Sequence, residues 1–210
     1  MDSGSRDHIL KTLSGVEHPD TNESFVDRTI NHFRTEDPDP VIAFAEQFIS
    51  NGGKFIFCNS FDDIQSQFQQ ILKVNNIDHF HCFDDPLKDI FKDSNNNPEL
   101  LLQSEDQKVT LCLTKCVALI SRTGSIVVSS DMQTGRTSSL LPDIHVVIAS
   151  QNQIVPSMKE YLEIEKSDRK KLPSMISFIS SNSKTADIEK TLVMGAHGPK
   201  ELVLFLVDDL

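Results

Sequence analysis

From Asp39 onward the apolar positions follow two alternating periods. Val41, Phe44, Ala45 and Phe48 recur every three or four residues behind Asp39 as N-cap and Pro40 at the first helical position, and Gly52-Gly53 closes the run. This spacing predicts a helix. Lys54–Cys58, reading KFIFC, predicts a short buried strand. Ser60 then opens a second helix with Phe61, Ile64, Phe68, Ile71 and Leu72 on one face. His79–Phe83 predicts another strand and Pro86–Lys92 a short helix, while Asp93–Pro98 reads as an exposed loop. Strand and helix in turn predict an α/β fold, with a mostly parallel central sheet flanked by helices.

Past Lys108 the period shortens. Val109, Leu111 and Leu113 alternate, and Val117–Ile120 and Ile126–Val128 are apolar runs separated by a Thr-Gly-Ser break, which predicts short strands at the centre of a sheet. Asp131–Leu141 is a polar loop ending at Pro142, and His145–Ala149 is the next strand. Ile154–Glu165 is expected to be helical, with Ile154, Met158, Tyr161 and Leu162 on its apolar side, and Lys166–Lys171 is a charged connector. Strands are expected at Ser174–Ser180 and Leu202–Val207. Before this body, Ser5–Leu13 has the spacing of a short helix, Ser14–Asn22 reads as a linker, and Phe25, Ile30 and Phe33 follow no firm period. Residues 1–37 are therefore expected to form a peripheral arm, and residues 38–210 a single α/β domain.

Composition narrows the classes of function. A chain of 210 residues with 38% hydrophobic and 24% charged residues has the balance of a globular protein with one sizeable core. A net charge of −11 argues against nucleic-acid binding and against an anionic membrane surface, both of which call for clustered Lys and Arg. No run reaches the length of a membrane helix, and MDSGSRDHIL lacks the apolar core of a secretory signal, so a cytoplasmic location is expected. Cys58, Cys82, Cys112 and Cys116 form no Cys-x-x-Cys pair and read as free core thiols; neither a metal site nor a cofactor is expected.

The candidate chemistry lies in two polar regions. The first is the last thirty residues. Here Ser181–Glu189 leaves a strand with hydroxyls, an amide and Lys184, and a helix is expected to begin near Thr185. Free N–H groups at such an end attract phosphate or carboxylate, although a plain N-cap with acidic first-turn residues would read the same way. Gly195-Ala196-His197-Gly198-Pro199 follows, two glycines allowing close backbone approach around a histidine that serves as proton shuttle, as ligand donor or as hydrogen-bonding strut of the turn. The second region runs from Thr123 to Pro142, with Thr123-Gly124-Ser125 and Arg136. The Arg136 guanidinium is suited to a two-donor grip on an anion, or is simply an exposed loop charge. The two regions are expected to meet. Candidate ligand-binding residues are Thr123, Gly124, Ser125, Arg136, Ser183, Lys184, Thr185, Gly195, His197 and Gly198; His197 and Asp187 are the candidate acid–base groups. His145 reads as a core-edge histidine, and His79 with His81 lacks a third ligand nearby. No dinucleotide fingerprint, Walker loop or nucleophile elbow is present.

In order along the chain, Thr123-Gly124-Ser125, Gly135-Arg136 with Leu140-Leu141-Pro142 and His145, Ser183–Glu189 and Gly195–Pro199 resemble the LUD-domain family of lactate utilisation protein C. The resemblance is strong from about Val109 to Val207. It implies a fold similar to the NagB/RpiA/CoA-transferase-like group and a part in bacterial oxidation of L-lactate to pyruvate. The partners it implies are subunits carrying iron–sulfur clusters, and the absence of a cluster-type cysteine run suits the cluster-free component. Arg122 stands where the family usually carries an acidic residue, and Ser181-Asn182 where it usually carries Gly-Pro. The expected function is an accessory or small-anion-binding component of that system. The alternatives are a stand-alone enzyme of the same fold group acting on a sugar phosphate or acyl-CoA, and a purely structural interaction module.

Overall fold

A computed structural model describes residues 39–91, 109–134, 138–168, 172–188, 191–195 and 197–208. The predicted arm, the Asp93–Pro98 loop, Arg136 with its two neighbours, and Arg169–Lys171 of the charged connector lie outside the described residues.

Helix α1 (Pro40–Ser50) begins where its cap was expected, with the Asp39 carboxylate accepting from the Val41 N–H at 2.8 Å. Phe44 and Phe48 are its buried residues. Strand β1 (Lys54–Cys58) follows, then α2 (Phe61–Val74), where Ser60 Oγ accepts from Asp63 N at 3.2 Å. Strand β2 is shorter than the apolar run suggested, His81–Cys82, and α3 spans Asp85–Phe91. Then come β3 (Leu111–Lys115), β4 (Ala118–Ile120), β5 (Ser125–Ser129) and β6 (Ile144–Ser150).

The helix expected from Ile154 starts later. Ile154–Val155 is a short strand, β7, paired with β4, and helix α4 occupies Met158–Asp168. Pro156 explains the difference, because the residue before a proline is held in extended conformation. Ser157 opens α4 instead, accepting from Glu160 N at 3.3 Å and donating to Glu160 Oε1 at 2.9 Å. The remaining strands are β8 (Ile176–Ile179), β9 (Lys184–Ile188), β10 (Thr191–Met194) and β11 (Glu201–Val207).

Five strands form a wholly parallel sheet in the order β1-β11-β6-β3-β2. A second sheet, β7-β4-β5-β8, is mixed, with β4 and β7 parallel and its other pairs antiparallel. The parallel sheet is apolar on both faces, as such sheets are when both are covered. On one face Cys58, Leu113, Val146, Ile148 and Phe205 pack with Ile64, Phe68 and Leu72 of α2 and Leu87 and Phe91 of α3. On the other, Val147, Ala149, Leu202, Leu204 and Leu206 pack with Phe44 and Phe48 of α1 and with Leu119, Ile126 and Val128 of the second sheet. The period of two in the second sheet sends Ala118, Ile120 and Val127 the opposite way, onto Tyr161 of α4. The resulting layers are helices, parallel sheet, α1 with mixed sheet, and an outer helix. All four cysteines are free and buried within them.

Candidate functional site

The Thr123–Pro142 region is two loops, because β5 runs through it. The first is the turn Ser121–Gly124. Gly124 has φ +58, and a Cβ there would stand 2.4 Å from the Phe48 main-chain nitrogen, so the turn lies directly against the last turn of α1. Asn51, the C-cap of α1, adds a side-chain bond from Nδ2 to the Thr123 carbonyl at 3.0 Å. The second loop leaves β5 at the other end. Gln133 Oε1 accepts from Asp85 N at 3.2 Å, just past the carboxyl end of β2.

The expected helix at Thr185 is a β-hairpin. Strands β9 and β10 pair antiparallel, Lys184 opposite Met194 and Ile188 opposite Thr191, with a register irregularity between Thr191 and Val193. The segment alternates in period two, and it meets its partner within a few residues, so a ladder satisfies the backbone groups that a helix would have satisfied internally. Thr185 and Asp187 therefore lie in a strand, and no helix N-terminus is available there to attract an anion.

The stretch before the hairpin and the glycine loop after it are laced together. Ser183 N donates to the Pro199 carbonyl at 2.8 Å, Gly195 N to the Ser183 carbonyl at 2.9 Å, and His197 N to Ser183 Oγ at 3.3 Å. Gly195, at φ +74, lies against the Lys200 side chain, and Gly198 lies beside Ser183. Asn182 Nδ2 donates to the Lys200 carbonyl at 2.8 Å, while its Oδ1 is buried without a hydrogen-bond partner.

These two groups of residues come together at α1. Lys184 Nζ donates to the Asn51 carbonyl at 2.9 Å. Gly52, at φ +96, leaves room for Lys184 Nζ and Asn182 Oδ1, which would be 3.2 Å and 3.4 Å from a Cβ at that position. Thr123 Oγ1, Ser125 Oγ and Ser180 Oγ form a chain of hydroxyls with spacings of 2.6 Å and 2.7 Å. Of the expected residues, Thr123, Gly124, Ser125, Ser183, Lys184, Gly195, His197 and Gly198 thus share one neighbourhood. Asn51, Gly52, Ser180 and Lys200 join them without any signal of their own in the sequence, and Asn182, the amide of the Ser181–Glu189 stretch that was not among the expected ligand-binding residues, proves to be a buried participant.

The neighbourhood sits at the amino ends of the parallel strands. Gly52 precedes β1, Lys200 precedes β11, and the Lys200 and Glu201 N–H groups donate to the Asp143 carbonyl ahead of β6. Ligands of open α/β sheets usually occupy the carboxyl end. Charges at this edge are paired in part: Lys54 with Glu201 at 2.6 Å and Lys200 with Asp143 at 3.1 Å. Lys184 is exposed, and among the described residues its ammonium donates to a neutral carbonyl.

His145 lies deeper, at 0% exposure in β6, with Nε2 2.9 Å from Thr114 Oγ1. Burial pushes its imidazole down to about 4, so it is neutral near pH 7. Burial also pushes the Cys58 and Cys82 thiols up to about 11 and Cys116 to about 12. Among the described residues no helix is long and apolar enough to cross a membrane.

An α/β domain with this order of polar loops matches the LUD domain model across residues 27–207. The chain belongs to the LUD-domain family. It is 37% identical over 93 residues to lactate utilization protein C of Halalkalibacterium halodurans, covering 43% of this chain and 40% of that protein. With its counterpart from Deinococcus radiodurans it is 35% identical over 109 residues, covering 51% and 50%, and with that of Bacillus subtilis 31% identical over 120 residues, covering 56% and 49%. The matched region thus spans half or less of these relatives' length. A crystal structure of a DUF162 family protein from Deinococcus radiodurans shares the fold at a TM-score of 0.61 and 21% identity, over 80% of this chain and 96% of that one.

Proposed function

We propose that this chain is a cluster-free component of a bacterial system oxidising L-lactate to pyruvate, and that its amino-edge site holds a small carboxylate or phosphate. The names of the relatives support the first part. The observation that carries the second is the meeting of the Thr123, Asn182–Lys184 and Gly195–Lys200 segments at the end of α1, where an exposed ammonium rests on a neutral carbonyl. Such a cation exchanges its carbonyl for an anion at little cost. Iron–sulfur subunits are the partners in this reading, as the family resemblance implies. The domain, residues 38–210 with 1–37 as its arm, belongs to the NagB/RpiA/CoA-transferase-like group, and the protein works in the cytoplasm.

Deletion of the gene, scored by growth on L-lactate as sole carbon source, and affinity purification of the full chain test the role. Lost growth and co-purifying iron–sulfur proteins are expected; normal growth with no such partner contradicts it. The stand-alone enzyme would need His197 or Asp187 to face a reacting atom. What holds His197 is its backbone N–H, and its side chain is exposed, so the binding role is preferred.

A further inference from the structure

Asn182 is unusual among the residues of the amino-edge site because half of its amide is used and half is not. Nδ2 donates to the Lys200 carbonyl at 2.8 Å, which fixes the orientation of the group: the flipped amide would set oxygen against oxygen. Oδ1 is thereby held as a pure acceptor, in a residue only 8% exposed, without a partner. A buried acceptor left unpaired is costly, so a site containing one favours whatever brings it a donor.

The neighbour of this acceptor is a cation. Lys184 Nζ and Asn182 Oδ1 flank the same side of Gly52, at 3.2 Å and 3.4 Å from the point a Cβ would occupy. The positive φ of Gly52 and the missing side chain let both groups approach the same point of the backbone. Lys184 carries three N–H donors, and Asn51 O accepts one of them. Its side chain is exposed, and the long flexible stem of a lysine can swing from the Asn51 carbonyl towards an entering ligand.

A cationic donor beside a fixed neutral acceptor makes a demand on both parts of a ligand. We infer that the Asn182–Lys184 pair selects an anion that also donates a hydrogen bond from a substituent on the carbon next to its charged group: among small carboxylates, a 2-hydroxy acid in preference to the matching 2-oxo acid. The carboxylate meets Lys184 and the hydroxyl donates to Asn182 Oδ1. A 2-oxo acid offers a second acceptor and leaves Oδ1 unpaired, and a 2-amino acid brings an ammonium against Lys184. This inference rests on the anion-binding reading above and gives it a direction: the site binds the reduced member of the lactate–pyruvate pair in preference to the oxidised one.

The test is calorimetric titration of the full chain with L-lactate, pyruvate, 2-methoxypropanoate and inorganic phosphate, repeated with Asn182→Leu. L-Lactate is expected to bind about tenfold or more tightly than pyruvate and than 2-methoxypropanoate, whose oxygen has lost its proton. The preference is expected to fall to about twofold or less in Asn182→Leu. Equal affinity of the wild type for L-lactate and pyruvate would overturn the inference, water then serving Oδ1, yet leave the anion site standing. A preference that survives in Asn182→Leu, or binding of phosphate alone, overturns it in the same limited way. No saturable binding of any probe overturns it together with the reading on which it rests. If Asn182→Leu does not fold, the wild-type comparison of L-lactate with 2-methoxypropanoate decides.

Discussion

Lys184 places its ammonium 2.9 Å from the main-chain oxygen of Asn51, joining residues 133 positions apart in sequence. Asn51 ends α1 and Lys184 begins the β9–β10 hairpin, so one contact ties the first described helix to the final part of the fold. Lys184 is exposed, and a single bond to a carbonyl at the surface contributes on the order of 1 kcal/mol or less. Replacing it by methionine is expected to leave the midpoint of urea unfolding nearly unchanged. A large loss of stability would mean that the contact is structural rather than a resting place for a cation.

Gly124 is expected to tolerate no side chain. Its φ of +58 is unfavourable for other residues, and a Cβ would lie 2.4 Å from the Phe48 nitrogen and 2.6 Å from the Gln47 carbonyl carbon, atoms of a helix backbone that cannot swing aside. Gly124→Ala should cost about 2–4 kcal/mol in urea unfolding. A cost under about 0.5 kcal/mol would show that the turn does not press on α1 as described.

His145 makes stability fall in mild acid. Its folded imidazole titrates near 4, below the ordinary value of 6.5, so below 6.5 the unfolded chain takes up a proton that the folded chain refuses. The contribution is complete above pH 6.5 and is lost as pH falls towards 4, with a slope approaching about 1.4 kcal/mol per pH unit. His145→Gln should flatten the pH dependence of unfolding free energy across this window by about one proton. Parallel curves for the two proteins would contradict it.

The four cysteines are expected to resist thiol reagents in the native protein. Each is buried, and burial holds every thiol well above its usual range, so little thiolate exists at pH 8. Ellman's reagent should label none of them within minutes at pH 8 and all four in denaturant. Rapid native labelling of one would place that residue in a more open environment.

Much of the fold is legible in the chain because it is locally encoded. Asp39 with Pro40, and Ser60 with Asp63, mark helix starts by chemistry that acts over three residues, and the fully apolar run Leu202–Val207 declares a strand covered on both faces. The errors fall where local signals conflict. Ser183-Lys184-Thr185 has the look of a cap, but the alternating residues after it also suit a strand, and pairing with Thr191–Met194 settles the matter. Ile154 fits the apolar face of the following helix by spacing, while Pro156 forbids it. The site is less legible still. That β11 inserts between β1 and β6 is a long-range outcome, and it is this insertion that brings Lys200 and Asn182 to the end of α1. Asn51 and Gly52 read only as a helix end.

The most direct measurement of the central claim is binding of small anions by the full chain and by Lys184→Met, followed by calorimetry with L-lactate, pyruvate and inorganic phosphate. At least one should bind saturably to the wild type and about tenfold or more weakly to the variant, with both proteins equally folded. Absence of binding by all three, or affinity unchanged by loss of the ammonium, would contradict the amino-edge site.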